Sequence, residues 1–201
     1  MAQELVSLVG FAFAASITPG PNNLMRMASG TNYGFRRTLP HLAGVAVGFV
    51  LMLLLVGAGL GQLFRQFPSV ELLLRSICFA YLLYLAWKLA ATRAQPAAAG
   101  EGSTGKPLSF LQAALFQWVN PKAWAMALTA MSVYLPSDTL WSALAVALVF
   151  GAVNLPCIST WTLLGLKLRA FLHNAVRLKT FNVTMALLLL ASVLPVLLPR
   201  G

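Results

Sequence analysis

The polar residues able to do chemistry gather at two breaks in otherwise apolar sequence. One break reads Thr18-Pro19-Gly20-Pro21-Asn22-Asn23; the other reads Asn120-Pro121-Lys122, with Gln117 just upstream. Each proline removes a backbone donor and disfavours helix at the residue before it, so both stretches should interrupt a helix and free some of its carbonyls. At membrane depth, freed groups must be met by protein or by a wet cavity. A single proline kink needs only a neighbouring hydroxyl. Two breaks in matching places, both with asparagine, point instead to a small-molecule binding site. The candidate site residues are Thr18, Gly20, Asn22, Asn23, Gln117, Asn120 and Lys122. Pro19, Pro21 and Pro121 are the breakers, and Pro156, beside Asn154, is expected to break a further helix.

Lys122 stands out. An ammonium near mid-membrane costs at least roughly 2.5 to 3.5 kcal/mol. Either it partners a substrate carboxylate, helped by the positive end of a half-helix, or it snorkels to the outer interface toward Asp138. His41 titrates near neutral pH and is read first as an interfacial residue, second as a proton-coupling group. Trp161, Tyr81 and Tyr84 serve packing or interfacial anchoring as readily as substrate contact.

The elements that must hold these residues follow from composition. Of 201 residues, 59% are apolar and 9% charged, and the mean hydropathy is +0.81; ordinary soluble domains carry about 25% charged residues. A hydrocarbon core of about 30 Å needs roughly 20 apolar residues as helix. Six stretches qualify: Leu5 to Met25, Leu42 to Phe64, Pro68 to Ala91, Ser109 to Val133, Thr139 to Leu166 and Thr180 to Pro199. The expected fold is an all-α integral membrane protein of six transmembrane helices, helices one and four interrupted. A Gly- and Ala-rich linker, 94–107, separates residues 1–93 from 108–201. Three helices per half is an odd number, so the halves are related by inversion.

Arg26, Arg36, Arg37, Lys88, Arg93, Lys106, Lys167, Arg169, Arg177 and Lys179 fall in loops on one side, against Arg65, Arg75 and Arg200 on the other. By the positive-inside rule both termini lie outside the cytoplasm. The net charge of +10 is then a topology signal whose partners are anionic lipids, not nucleic acid. The N-terminus lacks a basic n-region, so its apolar run is expected to be a retained helix, not a cleaved signal. Gly44 with Gly48 and Gly57 with Gly61 form small-residue faces for close helix packing or for a homodimer.

Other chemistries lack their parts. Cys78 and Cys157 lie in apolar runs, and His41 and His173 fit no metal-ligand spacing. Gly100, Gly105 and Lys106 match most of a phosphate loop, but Pro107 stands where the magnesium-binding hydroxyl belongs. No carboxylate pair or histidine cluster supports an enzyme, so no cofactor or metal is expected. A channel or a non-transporting scaffold is the alternative to a carrier.

The stretch Ser16 to Gly48, with Thr18 to Pro21, then Gly34 with Arg36 and Arg37, then Gly44 with Gly48, resembles the lysine-exporter (LysE) superfamily, in particular its resistance-to-homoserine/threonine (RhtB) branch. Ala80 to Lys88 is similar to that family's third helix, and Asn120-Pro121-Lys122 to its NPK segment. The resemblance covers essentially the whole chain. It implies export of an amino acid or close metabolite across the bacterial inner membrane, driven by the proton gradient, with the branch handling cysteine, O-acetylserine and other neutral amino acids the better fit. The residues agree: Glu4, Glu71, Glu101 and Asp138 all fall at helix ends or in loops, leaving no buried carboxylate for a cationic side chain. The same lack leaves proton coupling to His41, to Lys122 or to the substrate itself.

Overall fold

A computed structural model describes residues 2–60, 66–92, 106–135, 137, 139–172 and 174–192. Most of the expected linker, together with Asp138 and His173, lies outside these residues. The described residues form eight α-helices and no strand: α1 (Ala2–Ile17), α2 (Pro21–Tyr33), α3 (Phe35–Leu55, continued by a π turn Val56–Leu60), α4 (Pro68–Ala91), α5 (Phe110–Trp118), α6 (Pro121–Tyr134), α7 (Leu140–Arg169) and α8 (Ala175–Ala191). Two helices, Phe35–Leu60 and Leu140–Arg169, are long and apolar enough to cross a membrane; α1 and α2 together make a third such span, bent by 57°.

Both breaks form where proline dictates them. Pro21 and Pro121 each occupy the first turn of the helix that restarts, where a missing N–H costs nothing. Asn120 caps α6 by accepting from the Lys122 backbone N–H at 3.2 Å, whereas Gly20 caps α2 with no side-chain bond. Sixteen residues of α1 rise about 24 Å, short of a core of about 30 Å, so α1 is too short to cross one without α2.

Two expectations need correction. α7 runs through Pro156 without interruption: one proline deletes one hydrogen bond and flanking turns hold the helix, whereas Pro19, Gly20 and Pro21 act in succession. The first connection is only Gly34, held at φ 79°, because α2 continues to Tyr33. Arg26 is therefore a mid-helix residue, 2% exposed, and not a loop cation. His41, in the second turn of α3, is 1% exposed, enclosed by protein.

α7 is the spine. It packs along α1, α2 and α3, while α5 packs on α3 and α4 on α8. A Cβ on Gly165 would lie 2.0 Å from the Met27 carbonyl oxygen, and one on Gly30 would lie 2.2 Å from that of Thr162, so α2 and α7 touch backbone to backbone. Gly44 and Gly48 do the same for α3 against α5. These small-residue faces are used inside the protomer. Polar cross-links fix α2 further: Thr31 Oγ1 donates to the Gly165 carbonyl at 2.9 Å, and Asn32 and Asn182 exchange amide bonds at 2.7 and 3.1 Å. Val6, Leu111 and Trp141 are among many large apolar side chains on the outer surface, as suits a lipid-facing one.

Candidate functional site

The bend between α1 and α2 frees a run of carbonyls, and nearly every one finds a side-chain donor. Thr18 Oγ1 donates to Ala15 O at 3.0 Å, Asn23 Nδ2 to Ser16 O at 2.9 Å and to Thr18 O at 2.7 Å, and Trp161 Nε1 to Ile17 O at 3.0 Å. Lys122 Nζ donates to Thr18 O at 2.6 Å, Thr18 Oγ1 at 2.7 Å and Pro19 O at 3.3 Å. A cation at a helix C-terminus is also favoured by the helix dipole. Lys122 thus bolts the second break onto the first.

Behind this cap lies a polar cavity lined from both breaks. Gly20, Asn22, Asn23, Gln117, Asn120 and Lys122 all face it, and so do Ser16, Arg26, Asn154, Val45 and Phe49. Six of the seven sequence candidates therefore converge; Thr18 stands outside, facing Lys122. Asn22 Nδ2 donates to Gln117 Oε1, joining α2 to α5 across the cavity. Asn154 Nδ2 donates to Ser16 Oγ at 2.9 Å. The volume is about 30 Å³, room for water but not for an amino acid. Admitting a solute as large as an amino acid requires the walls to part.

The sequence left Arg26 among the loop cations and gave Trp161 no assigned contact. Arg26 sits one residue past the first apolar run, where it resembles any loop cation. Its Nη2 donates to Asn23 Oδ1 at 2.5 Å, while Nε and Nη1 are buried with no partner. Trp161 caps α1 from a position 144 residues away, which no local signal announces. Asn22 Oδ1 and Asn154 Oδ1 are likewise buried acceptors with no donor.

His41 is not part of this group. It lines a second cavity with Ser29, Tyr33, Lys88, Thr92 and Lys106, and neither of its ring nitrogens has a partner. Among the described residues no cluster of His, Cys, Asp or Glu could hold a metal ion.

The sequence model of the LysE type translocators matches residues 13–197. The chain belongs to the LysE family. Among its relatives, the cysteine/O-acetylserine efflux protein of Salmonella typhimurium (strain LT2) is 32% identical over 182 residues, covering 89% of this chain and 90% of that one. The protein of the same name from Escherichia coli (strain K12) is 33% identical over 129 residues, 64% of each chain. No solved structure matches. A LysE-family efflux transporter is a multi-pass membrane protein, and the apolar helices and lipid-facing surface accord with that.

Proposed function

We propose that this LysE-family protein exports a neutral amino acid or close metabolite from the cytoplasm across the bacterial inner membrane, coupled to protons, by alternating access around the cavity at the helix breaks. One observation carries the reading: one and the same cavity is walled by polar residues of both breaks, Asn22 and Asn23 from one, Gln117, Asn120 and Lys122 from the other. Binding sites of secondary carriers form where two discontinuous helices meet.

The packing supports a two-half architecture of six spans, with α1/α2 and α5/α6 as the interrupted first span of each half. α1 and α2 pack on α7, an unbroken helix of the second half; α5 and α6 pack on α3, an unbroken helix of the first. Such an exchange lets one half rock against the other while both keep a wall of the site. The orientation with both termini outside belongs to this proposal. So does the substrate class: Arg26 and Lys122 face the cavity and, among the described residues, no acidic one does, which disfavours a cationic substrate side chain. The names of these relatives point to cysteine and O-acetylserine as first candidates.

The test is efflux from proteoliposomes loaded with labelled O-acetylserine or cysteine, with and without a pH gradient. Saturable flux, counterflow and stimulation by an inward proton gradient are expected. Absence of flux for every amino acid tried, or sustained unitary conductance in a planar bilayer, overturns the reading in favour of a scaffold or a channel respectively.

A further inference from the structure

Arg26 is one of the largest fully buried side chains among the described residues. A guanidinium carries five N–H donors and keeps its charge in proteins. Here one nitrogen bonds Asn23, one turn back on the same helix, and the other two have no partner. A buried charge left half-met is costly, and no carboxylate of the described protein lines its cavity. Such a half-met guanidinium is complementary to an anion.

The neighbouring orphan atoms are of the opposite kind. Asn22 Oδ1 and Asn154 Oδ1, on α2 and α7, line the same cavity as buried acceptors with no donor. Lys122 does not supply the missing complement, because its ammonium is engaged by Thr18 and Pro19. Unmet cationic donors and unmet neutral acceptors in one cavity are together complementary to a molecule with a carboxylate and an ammonium a few ångströms apart. The positive N-terminal ends of α2 and α6, which also border the cavity, favour the same anion.

We infer that Arg26 anchors the carboxylate of the transported amino acid, and that the side-chain carbonyls of Asn22 and Asn154 receive its ammonium. This rests on the transport reading above and assigns, within that site, the groups that recognise the zwitterion. Lys122 is left a positioning residue that holds the two breaks together. Substrate entry displaces water, satisfies Arg26 and leaves the variable side chain free to differ between substrates.

The experiment uses the full-length protein in proteoliposomes, with labelled cysteine as substrate under reducing conditions. Cysteamine, which lacks the carboxylate, and 3-mercaptopropionate, which lacks the ammonium, serve as competitors. Each should inhibit at least tenfold more weakly than unlabelled cysteine. Arg26→Gln should raise KM at least tenfold with its melting temperature in detergent retained, and Arg26→Lys should recover part of that loss. A folded Arg26→Gln protein with a KM within twofold of wild type overturns the assignment. So does cysteamine competing as well as cysteine against the wild-type protein, a comparison that decides the matter even if neither Arg26 variant folds. If the wild-type protein moves no amino acid, the transport reading itself fails and takes this one with it; a transporting protein indifferent to Arg26 removes only this one.

Discussion

Lys122 reaches across 104 residues of sequence to donate its ammonium hydrogens to both the carbonyl and the hydroxyl of Thr18. The contact ties the start of α6 to the end of α1. It converts two separate helix breaks into one rigid corner of the cavity. Lys122→Met removes three hydrogen bonds and leaves the Pro19 carbonyl without its donor. Charge-assisted bonds contribute about 1.5 to 3 kcal/mol each at most, so a melting temperature several degrees below wild type in detergent is expected, together with reduced efflux. An unchanged melting temperature would show that the corner holds without it.

Trp161→Phe keeps the aromatic packing but deletes the donor to Ile17 O. The freed carbonyl should cost about 1 to 3 kcal/mol and loosen the end of α1. Hydrogen–deuterium exchange at Thr18 and Asn22, the N–H groups flanking the bend, should rise in the variant while exchange within α8 stays the same. Equal exchange at the bend in both proteins counts against the cap.

Gly165→Ala sets a methyl 2.0 Å from Met27 O, a distance no side-chain rotation relieves. α2 and α7 must separate, and a loss above roughly 3 kcal/mol is expected, at the severe end for single substitutions. Gly10 on α1 has nothing within 4 Å of a Cβ, so Gly10→Ala should be neutral or gain up to about 1 kcal/mol from helix propensity. Melting both variants side by side checks the prediction; equal behaviour refutes the close approach.

Asn32 and Asn182 form a reciprocal amide pair between α2 and α8, fully shielded from solvent. Each single change to Ala should destabilise by about 1 to 3 kcal/mol through the partner left unsatisfied. The double change should cost less than the sum of the two. A double-mutant cycle with no coupling would show that the two amides do not depend on each other.

His41 stands apart from the cavity at the helix breaks, with both nitrogens unpartnered among the described residues, beside Ser29 and Lys88 in the second cavity. If it serves proton coupling, His41→Phe should keep substrate counterflow but lose the stimulation of efflux by a pH gradient. Stimulation that persists in a folded His41→Phe protein removes His41 from the coupling path.

The sequence alone determined what depends on local covalent structure and on composition. Apolar runs interrupted by Pro19, Gly20 and Pro21 and by Pro121 locate apolar helices and both breaks, because a proline's missing N–H and ring act on their own neighbours whatever the fold. The same rule overreached at Pro156, where a single proline is absorbed by a long helix. Asn22, Asn23, Gln117 and Asn120 were legible as site candidates since polar groups beside a break in apolar sequence have few other reasons to be there. The tertiary structure alone decided how the donors and acceptors are shared out. Arg26 becomes a buried guanidinium because Gly30 and Gly165 let α2 lie flat on α7, and nothing near position 26 encodes that contact. Lys122 and Trp161 are committed to carbonyls more than a hundred residues away, and His41 is buried by elements that pack around α3. Which buried polar atom is satisfied and which is left for a ligand depends on partners brought together only by packing, and that is a property of the folded chain and not of any segment of it.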